Sequence, residues 1–405
     1  MKLLHTGDLH LGKSLHEHSV LEDQKHILDQ LVNELRGEDY AALIIAGDVY
    51  DRTVPPAEAV ALFSAFLADC RDACPEVTIA VIPGNHDSAK RLAFADRILG
   101  TRHIHIICNP EDSFTPIILS KGTEKLALFL LPFLAAGTLQ PEQSRSTGEE
   151  PTLFDDAGGA LLSQAELARE ASRRFSLLLD SPELDGIPAV LAAHLFTTGG
   201  AESSSERIFL GTAEQVSPAL FSRFAYTALG HLHRFQKITD RMYYAGSPLA
   251  YAFDEAETVK VFLRVEIDTS TPSWPVSVEP IPFQPLRAVR RLSGSFDDFY
   301  SGTAFDRFAA DYLEICLDDH DLVANPVNLL KPKFPWLLSL KQGLERETDS
   351  TARNRVEAEM QKTVRSASDD FKRFQEMLYG NIDESRQTLF EELLAECTRE
   401  DGVNV

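Results

Sequence analysis

Between Lys2 and Ile82, three short apolar runs (Lys2 to Thr6, Ala41 to Ala46, Val77 to Ile82) alternate with two amphipathic stretches. A chain patterned this way has few options: short runs rich in Val, Ile and Leu between helical repeats make parallel strands joined by crossover helices. From about Glu17 to Arg36, Leu21, Ile27, Leu28, Leu31, Val32 and Leu35 recur at helical spacing. Pro55-Pro56 opens a second helix, whose stripe is Val60, Leu62, Phe63, Phe66 and Leu67. Open parallel sheets carry their chemistry beyond the carboxyl ends of the strands, and it is at those ends that this sequence turns polar.

Five apolar runs stop in side chains of metal-binding type: LLHTGDLH, LIIAGDV, IAVIPGNHD, AVLAAHL and AYTALGHLH. In extended chain, residues i and i+2 point the same way, so Asp8 with His10, and His231 with His233, can each chelate. Asp48 brings a two-oxygen carboxylate suited to bridging two cations, Asn85 a neutral oxygen and His194 a further imidazole. Such a donor set without thiolate favours Mn²⁺ or Fe²⁺, tolerates Zn²⁺ and disfavours an all-oxygen Mg²⁺ or Ca²⁺ cage. Two cations about 3.5 to 4 Å apart suit phosphate ester cleavage, because they activate a water and neutralise the oxyanions of an in-line displacement. His86, beside Asn85 but not needed as a ligand, is the expected acid for the leaving alkoxide or a phosphate clamp. Asp51, in GDVYDR, is expected to orient its ring, and Asp87 to cap a turn or support the site. His5, His16, His18, His26, His103, His105 and His320 lack such a context and read as ordinary polar positions.

A length of 405 residues fits two or three domains. A formal charge of -23 argues against gripping nucleic acid through bulk positive charge, leaving local basic clusters or bound cations to do so. The five cysteines are scattered and form no CxxC pair, which suits a reducing cytoplasm; Cys70 and Cys74 read as a buried helical face rather than a redox or metal pair. No apolar run approaches a membrane span, and the first ten residues read as strand and motif rather than a signal segment. Residues 136 to 163 read as a long loop, and Pro272 to Pro285, with its prolines, as a crossing. Beyond it, strands at Leu286 to Leu292, Asp311 to Leu317 and Trp336 to Lys341 suggest a small α+β domain, followed by amphipathic stretches Asp369 to Tyr379 and Asp383 to Cys397, whose apolar stripes either pack back on the small domain or dock another protein's helices. The expected division is 1–270, 286–345 and 356–405. Arg287, Arg290 and Arg291 form the densest basic cluster of the small domain and are candidates for phosphate contact, with a solvated cluster as the alternative.

The blocks DLH, GDVYD, GNHD, the lone His194 and GHLH, in this order over about the first 250 residues, resemble the calcineurin-like metallophosphoesterase superfamily. LHTGDLHLGKSL, AGDVYDRTVPP and YYAGSPLAYAFDE are similar to a branch of bacterial DNA exonuclease subunits. The resemblance implies an α/β fold: a four-layer αββα sandwich with a C-terminal α+β capping domain over a DNA groove and a helical partner-binding tail. It implies a Mn²⁺-dependent double-strand exonuclease and single-strand or hairpin endonuclease of DNA repair, recombination and replication. The partner implied is a coiled-coil ATPase, with the nuclease a homodimer inside a heterotetramer. Carried across by motif, Asp8, His10, Asp48 and His233 hold one metal, Asp48, Asn85, His194 and His231 the other, and His86 is catalytic. Archaeal and eukaryotic members have a histidine where this chain has Asp51; the GDxxDR form is closer to protein phosphatases, in which that aspartate pairs with the GNH histidine. Two rival readings are a free-standing phosphoesterase acting on a nucleotide or phosphoprotein, and a non-catalytic scaffold on the same fold.

Overall fold

The computed structural model describes residues 1–94, 96–140, 161, 163–201, 203, 215–342, 371, 372, 375 and 385–391. The first part of the chain supplies β1 (Lys2–Thr6), a small hairpin of β2 (Ser14–Leu15) and β3 (His18–Ser19), α1 (Leu21–Gly37), β4 (Ala42–Ala46), α2 (Ala57–Ala73), β5 (Thr78–Ile82), the short α3 (Ala89–Leu92) and α4 (Asp96–Gly100), β6 (Ile104–Ile106), β7 (Ile117–Lys121) and β8 (Glu124–Leu131). Then follow α5 (Gln164–Leu179), β9 (Ala189–His194), β10 (Tyr226–Gly230), β11 (Gln236–Thr239), β12 (Met242–Tyr244), β13 (Val261–Ile267), β14 (Val276–Pro282), β15 (Val289–Gly294), β16 (Tyr312–Leu317) and β17 (Leu337–Gln342).

Two six-stranded sheets form, in the orders β14-β13-β1-β4-β5-β6 and β11-β12-β10-β9-β8-β7. In the first, β1, β4, β5 and β6 are parallel, as the alternation of strands and helices predicts. In the second, β8, β9, β10 and β12 are parallel. The inner faces meet in one core, with Leu3, Ile44, Ala80 and Ile82 of the first sheet against Leu128, Val190, Ala192 and Tyr226 of the second. Leu31 of α1 and Phe63 of α2 pack with Leu43, Ile45 and Val81 on the outer face of the first sheet. Leu167, Ala171 and Phe175 of α5 join Phe129 and Leu191 on that of the second. Strands buried on both faces read as continuous apolar runs, and the result is helix, sheet, sheet, helix. Ser163 starts α5 with a capping box to Glu166.

Two expectations are corrected here. The proline-rich crossing contains an edge strand, β14, whose Pro280 and Pro282 lie opposite Leu263 and Val261 of β13. A sheet edge is where a missing N–H costs least, and the first sheet therefore runs past residue 270. The stretch expected as a small domain, 286–345, supplies a three-stranded sheet, β15-β16-β17, and most of it falls in one compact unit, Met1–Leu317 with Ala324–Lys341. The second unit is Asp318–Val323 with Gln342–Val405. Most of the expected 356–405 tail, and residues 141–160 and 162 of the expected loop, lie outside the described residues. Among the described residues no helix is long and apolar enough to cross a membrane.

The second correction is His5, which is no ordinary polar position. Fully buried on β1, it ties the two sheets, with Nδ1 2.9 Å from the Tyr226 hydroxyl and Nε2 3.2 Å from the Leu229 carbonyl. Burial lowers its pKa from the ordinary 6.5 to about 3. The unfolded chain therefore takes up a proton between those values that the folded chain refuses, so stability falls as pH drops below 6.5. At pH 5 the His5 contribution to this loss is about 2 kcal/mol. Urea unfolding at pH 7 and pH 5 should show His5→Gln losing about that much less than the wild type; equal losses would contradict the assignment.

Candidate dinuclear metal centre

The carboxyl ends of β1, β4, β5, β9 and β10 converge, and the chain leaves β1, β4 and β10 through backbone of positive φ. Nine described non-glycine residues have positive φ, and four belong to this cluster: Asp8 at 50°, His10 at 44°, Asp48 at 47° and His231 at 112°. Such backbone costs free energy and persists where its surroundings over-determine it. Close packing enforces the turns. A Cβ on Gly47 would lie 2.1 Å from His194 Nδ1, and one on Gly84 2.1 Å from Asp48 Oδ1.

Two groups of donors result. In the first, His10 Nε2 stands 3.0 Å from His233 Nε2 and 3.6 Å from Asp48 Oδ2. In the second, Asn85 Oδ1 is 3.0 Å from both His194 Nε2 and His231 Nδ1, which are 3.3 Å apart. Asp48 Oδ2 is also 3.5 Å from His194 Nε2, so one carboxylate oxygen lies between the groups. Asp8, fully buried, accepts the His231 amide at 2.8 Å and shares a three-residue cluster with Asp48 and His194. Ligands about 2.1 Å from one ion and at right angles stand about 3.0 Å apart, so these spacings suit divalent cations. Among the described residues His231 Nε2 is buried without a hydrogen-bond partner. Burial lowers His10 and His194 below the usual imidazole range and His231 to about 3, keeping these rings in the neutral form that ligates metal. Burial raises the Asp48 carboxyl, but His194, His86 and His231 together outweigh it and hold the group below its usual range.

Asn85 and His86 are the half-buried members, which gives the cluster its open side. The His86 amide donates to Asp48 Oδ1 at 2.9 Å, and its ring lies nearly perpendicular to that of His10. The expected pairing of His86 with Asp51 runs through the main chain. Nδ1 of His86 donates to the main-chain carbonyl of Asp51 at 2.9 Å, while the carboxylate accepts from Lys13 Nζ at 2.6 Å and stands 3.7 Å from His10 Nδ1. An ammonium is the stronger partner for a carboxylate than a neutral ring. Asp87 closes the floor, its carboxylate accepting the amides of Val49, Tyr50 and Gly84 at 2.9, 2.9 and 3.0 Å. Burial and the nearby Asp48 push its carboxyl up to about 7 against those donors.

The reading of the sequence passed over three residues near the site: Gln24, which donates to the His10 carbonyl at 2.7 Å, Lys13, and Glu255 behind His233. Burial raises the Glu255 carboxyl, but Lys260 and His233 hold it well below the usual range. Gln24 and Lys13 carried no spacing signal; Glu255 stands in the FDE stretch already noticed for its resemblance.

The three arginines of the β15 cluster each meet a carboxylate. Arg287 donates to Asp23 at 3.1 Å and Glu22 at 2.9 Å and lies over the Trp336 ring. Arg290 donates to Asp311 and Arg291 to Glu314, each at 2.5 Å. The register of β15 with β16 sets Arg291 opposite Glu314, so each arginine already serves a carboxylate.

Gly84→Ala should destabilise the chain by roughly 1–3 kcal/mol, because the added methyl meets a rigid, buried carboxylate. A denaturation midpoint equal to the wild type would contradict the packing described.

Sandwich and cluster together define a class. The sequence pattern of the Calcineurin-like phosphoesterase family matches residues 1–234, and the chain belongs to that family. It is a hydrolase of phosphoester bonds. The chain is also similar to an SbcCD nuclease subunit of Staphylococcus saprophyticus subsp. saprophyticus, 29% identical over 342 residues that cover 84% of each chain. Against the crystal structure of TT1561 of Thermus thermophilus the TM-score is 0.37 at 14% identity, covering 69% of this chain and 98% of that one, a likeness too low to carry anything over.

Proposed function

We propose that the chain is the nuclease subunit of an SbcCD-type complex. It is read as a divalent-metal phosphodiesterase that degrades duplex DNA from its ends and cuts single strands and hairpins during DNA repair, recombination and replication. One observation carries the reading above the others: seven oxygen and nitrogen donors and His86 gather at five strand ends, in a chain similar along most of its length to an SbcCD nuclease subunit.

In this reading Asp8, His10, Asp48 and His233 hold one cation, and Asp48, Asn85, His194 and His231 the other. Mn²⁺ is the proposed ion, since imidazole and carboxylate donors without thiolate suit it. Two bound cations supply charge neutralisation for the phosphoryl oxygens and acidify the attacking water. The chain does the rest. Buried neutral imidazoles exclude bulk water from one side, and Asp48 keeps a negative charge between the two donor groups. His86, on the open side with Nδ1 held by the Asp51 carbonyl, turns Nε2 toward the leaving oxygen and protonates it. Asp51 acts by placing the His86 ring and by holding Lys13.

The proposed organisation adds a capping region at 286–345 and a tail at 356–405 that docks an SbcC-type coiled-coil ATPase. A second copy of the chain is proposed to cover the exposed Phe94 beside Phe63 and Leu67, making a homodimer within a heterotetramer. The proposed location is the cytoplasm.

The test is cleavage of linear duplex and hairpin DNA in Mn²⁺, with and without the ATPase, beside a chromogenic phosphodiester and a mononucleotide. DNA cleavage that the ATPase stimulates is the expected result. Hydrolysis of the small esters with DNA left intact would overturn the nuclease reading in favour of a free-standing phosphoesterase.

A further inference from the structure

We propose that Glu255 is a positioning residue for His233, holding the ring proton on Nδ1 so that the Nε2 lone pair faces the metal centre. The proposal rests on His233 being a ligand. Glu255 ends the single turn Phe253–Glu255, and its side chain is fully buried. Its Oε1 stands 3.4 Å from His233 Nδ1 and accepts from the Ser203 hydroxyl at 3.0 Å. Its Oε2 accepts from Lys260 Nζ at 2.6 Å and from the Tyr251 amide at 3.3 Å. Lys260 Nζ in turn donates to the His233 carbonyl and to the Ser247 hydroxyl, each at 2.9 Å. One buried ion pair thus grips His233 twice, its ring through Glu255 and its main chain through Lys260.

The consequence lies on the far side of the ring, where Nε2 faces His10 Nε2 at 3.0 Å. A neutral imidazole that donates from Nδ1 has only a lone pair to offer at Nε2. A carboxylate behind a ligating histidine fixes its orientation and raises its basicity, and losing such a partner typically weakens metal binding about 10–100-fold. The competing explanation is that Glu255 merely neutralises Lys260, a buried cation that would be costly alone. A carboxylate with that task alone has no need of a second oxygen beside the ring.

Nitrogen-15 NMR of the metal-free wild-type protein reads the tautomer. An Nδ1–H ring at His233 is expected, and an Nε2–H ring overturns the proposal. In Glu255→Gln, whose uncharged amide is the weaker acceptor, the Nδ1–H preference should weaken, and calorimetric titration with Mn²⁺ should find one site about 10–100-fold weaker and the other unchanged. Unchanged affinity with an unchanged tautomer also overturns it. Because Glu255→Gln leaves Lys260 without its counter-charge, the Glu255→Gln/Lys260→Met protein is measured beside it. Weak Mn²⁺ binding that persists in the folded double variant supports positioning, whereas recovery of wild-type affinity and tautomer shows that Glu255 serves Lys260 alone. A wild-type protein that binds no Mn²⁺ would refute the dinuclear reading instead, a result distinct from the tautomer found without metal.

Discussion

Asp48→Asn is expected to fold and to lose at least ~10³-fold in phosphodiesterase turnover, a barrier increase of about 4 kcal/mol. The size follows from where its two oxygens stand. Oδ1 accepts the His86 amide at 2.9 Å, a role that an asparagine oxygen can take over, so the turn should survive. Oδ2 lies 3.6 Å from His10 Nε2 and 3.5 Å from His194 Nε2, between the two donor groups, where an amide brings no charge. Both proposed cations lose a shared anionic ligand at once, which substituting a terminal histidine would not do. Turnover and metal content measured on the same preparation check this. A variant within tenfold of the wild type in both would remove Asp48 from the bridging position.

His86→Ala is expected to keep its metal content and to lose about 10²–10⁴-fold in turnover on DNA. The His86 side chain lies on the open side of the cluster, and its Nδ1 is committed to the Asp51 carbonyl. What it offers a substrate is therefore Nε2. If that nitrogen protonates the leaving alkoxide, the deficit should shrink sharply for a p-nitrophenyl ester, whose leaving group needs no proton. A deficit of the same size on both substrates would make His86 a phosphate clamp, and loss of metal from the variant would make it a ligand.

The strand ends were legible because their signal is local. An apolar run followed by Gly-Asp or Gly-Asn-His announces both the strand and its polar end, and five such endings in an α/β pattern imply a meeting point. What the sequence concealed is tertiary. Asp87 works through the amides of Val49, Tyr50 and Gly84, main-chain partners that no side-chain spacing reveals. Asp51 sits at the expected distance from Asp48, yet the contact to His86 comes from its carbonyl, because Lys13 claims the carboxylate. Arg287 looked free in a basic cluster because its partners, Glu22 and Asp23, lie far back on α1. β14 was hidden by prolines that an edge strand tolerates. His5 lies on the same strand that delivers Asp8, and only the arrival of Tyr226 from the second sheet gives it a task.

The central claim is that the two donor groups sharing Asp48 seat two cations. Equilibrium dialysis of the metal-free protein against Mn²⁺, read by elemental analysis, tests it most directly. Two ions per chain in the wild type, falling in Asp48→Asn and staying at two in His86→Ala, is the predicted result. A single ion or none in the wild type at saturating Mn²⁺ would contradict the dinuclear centre.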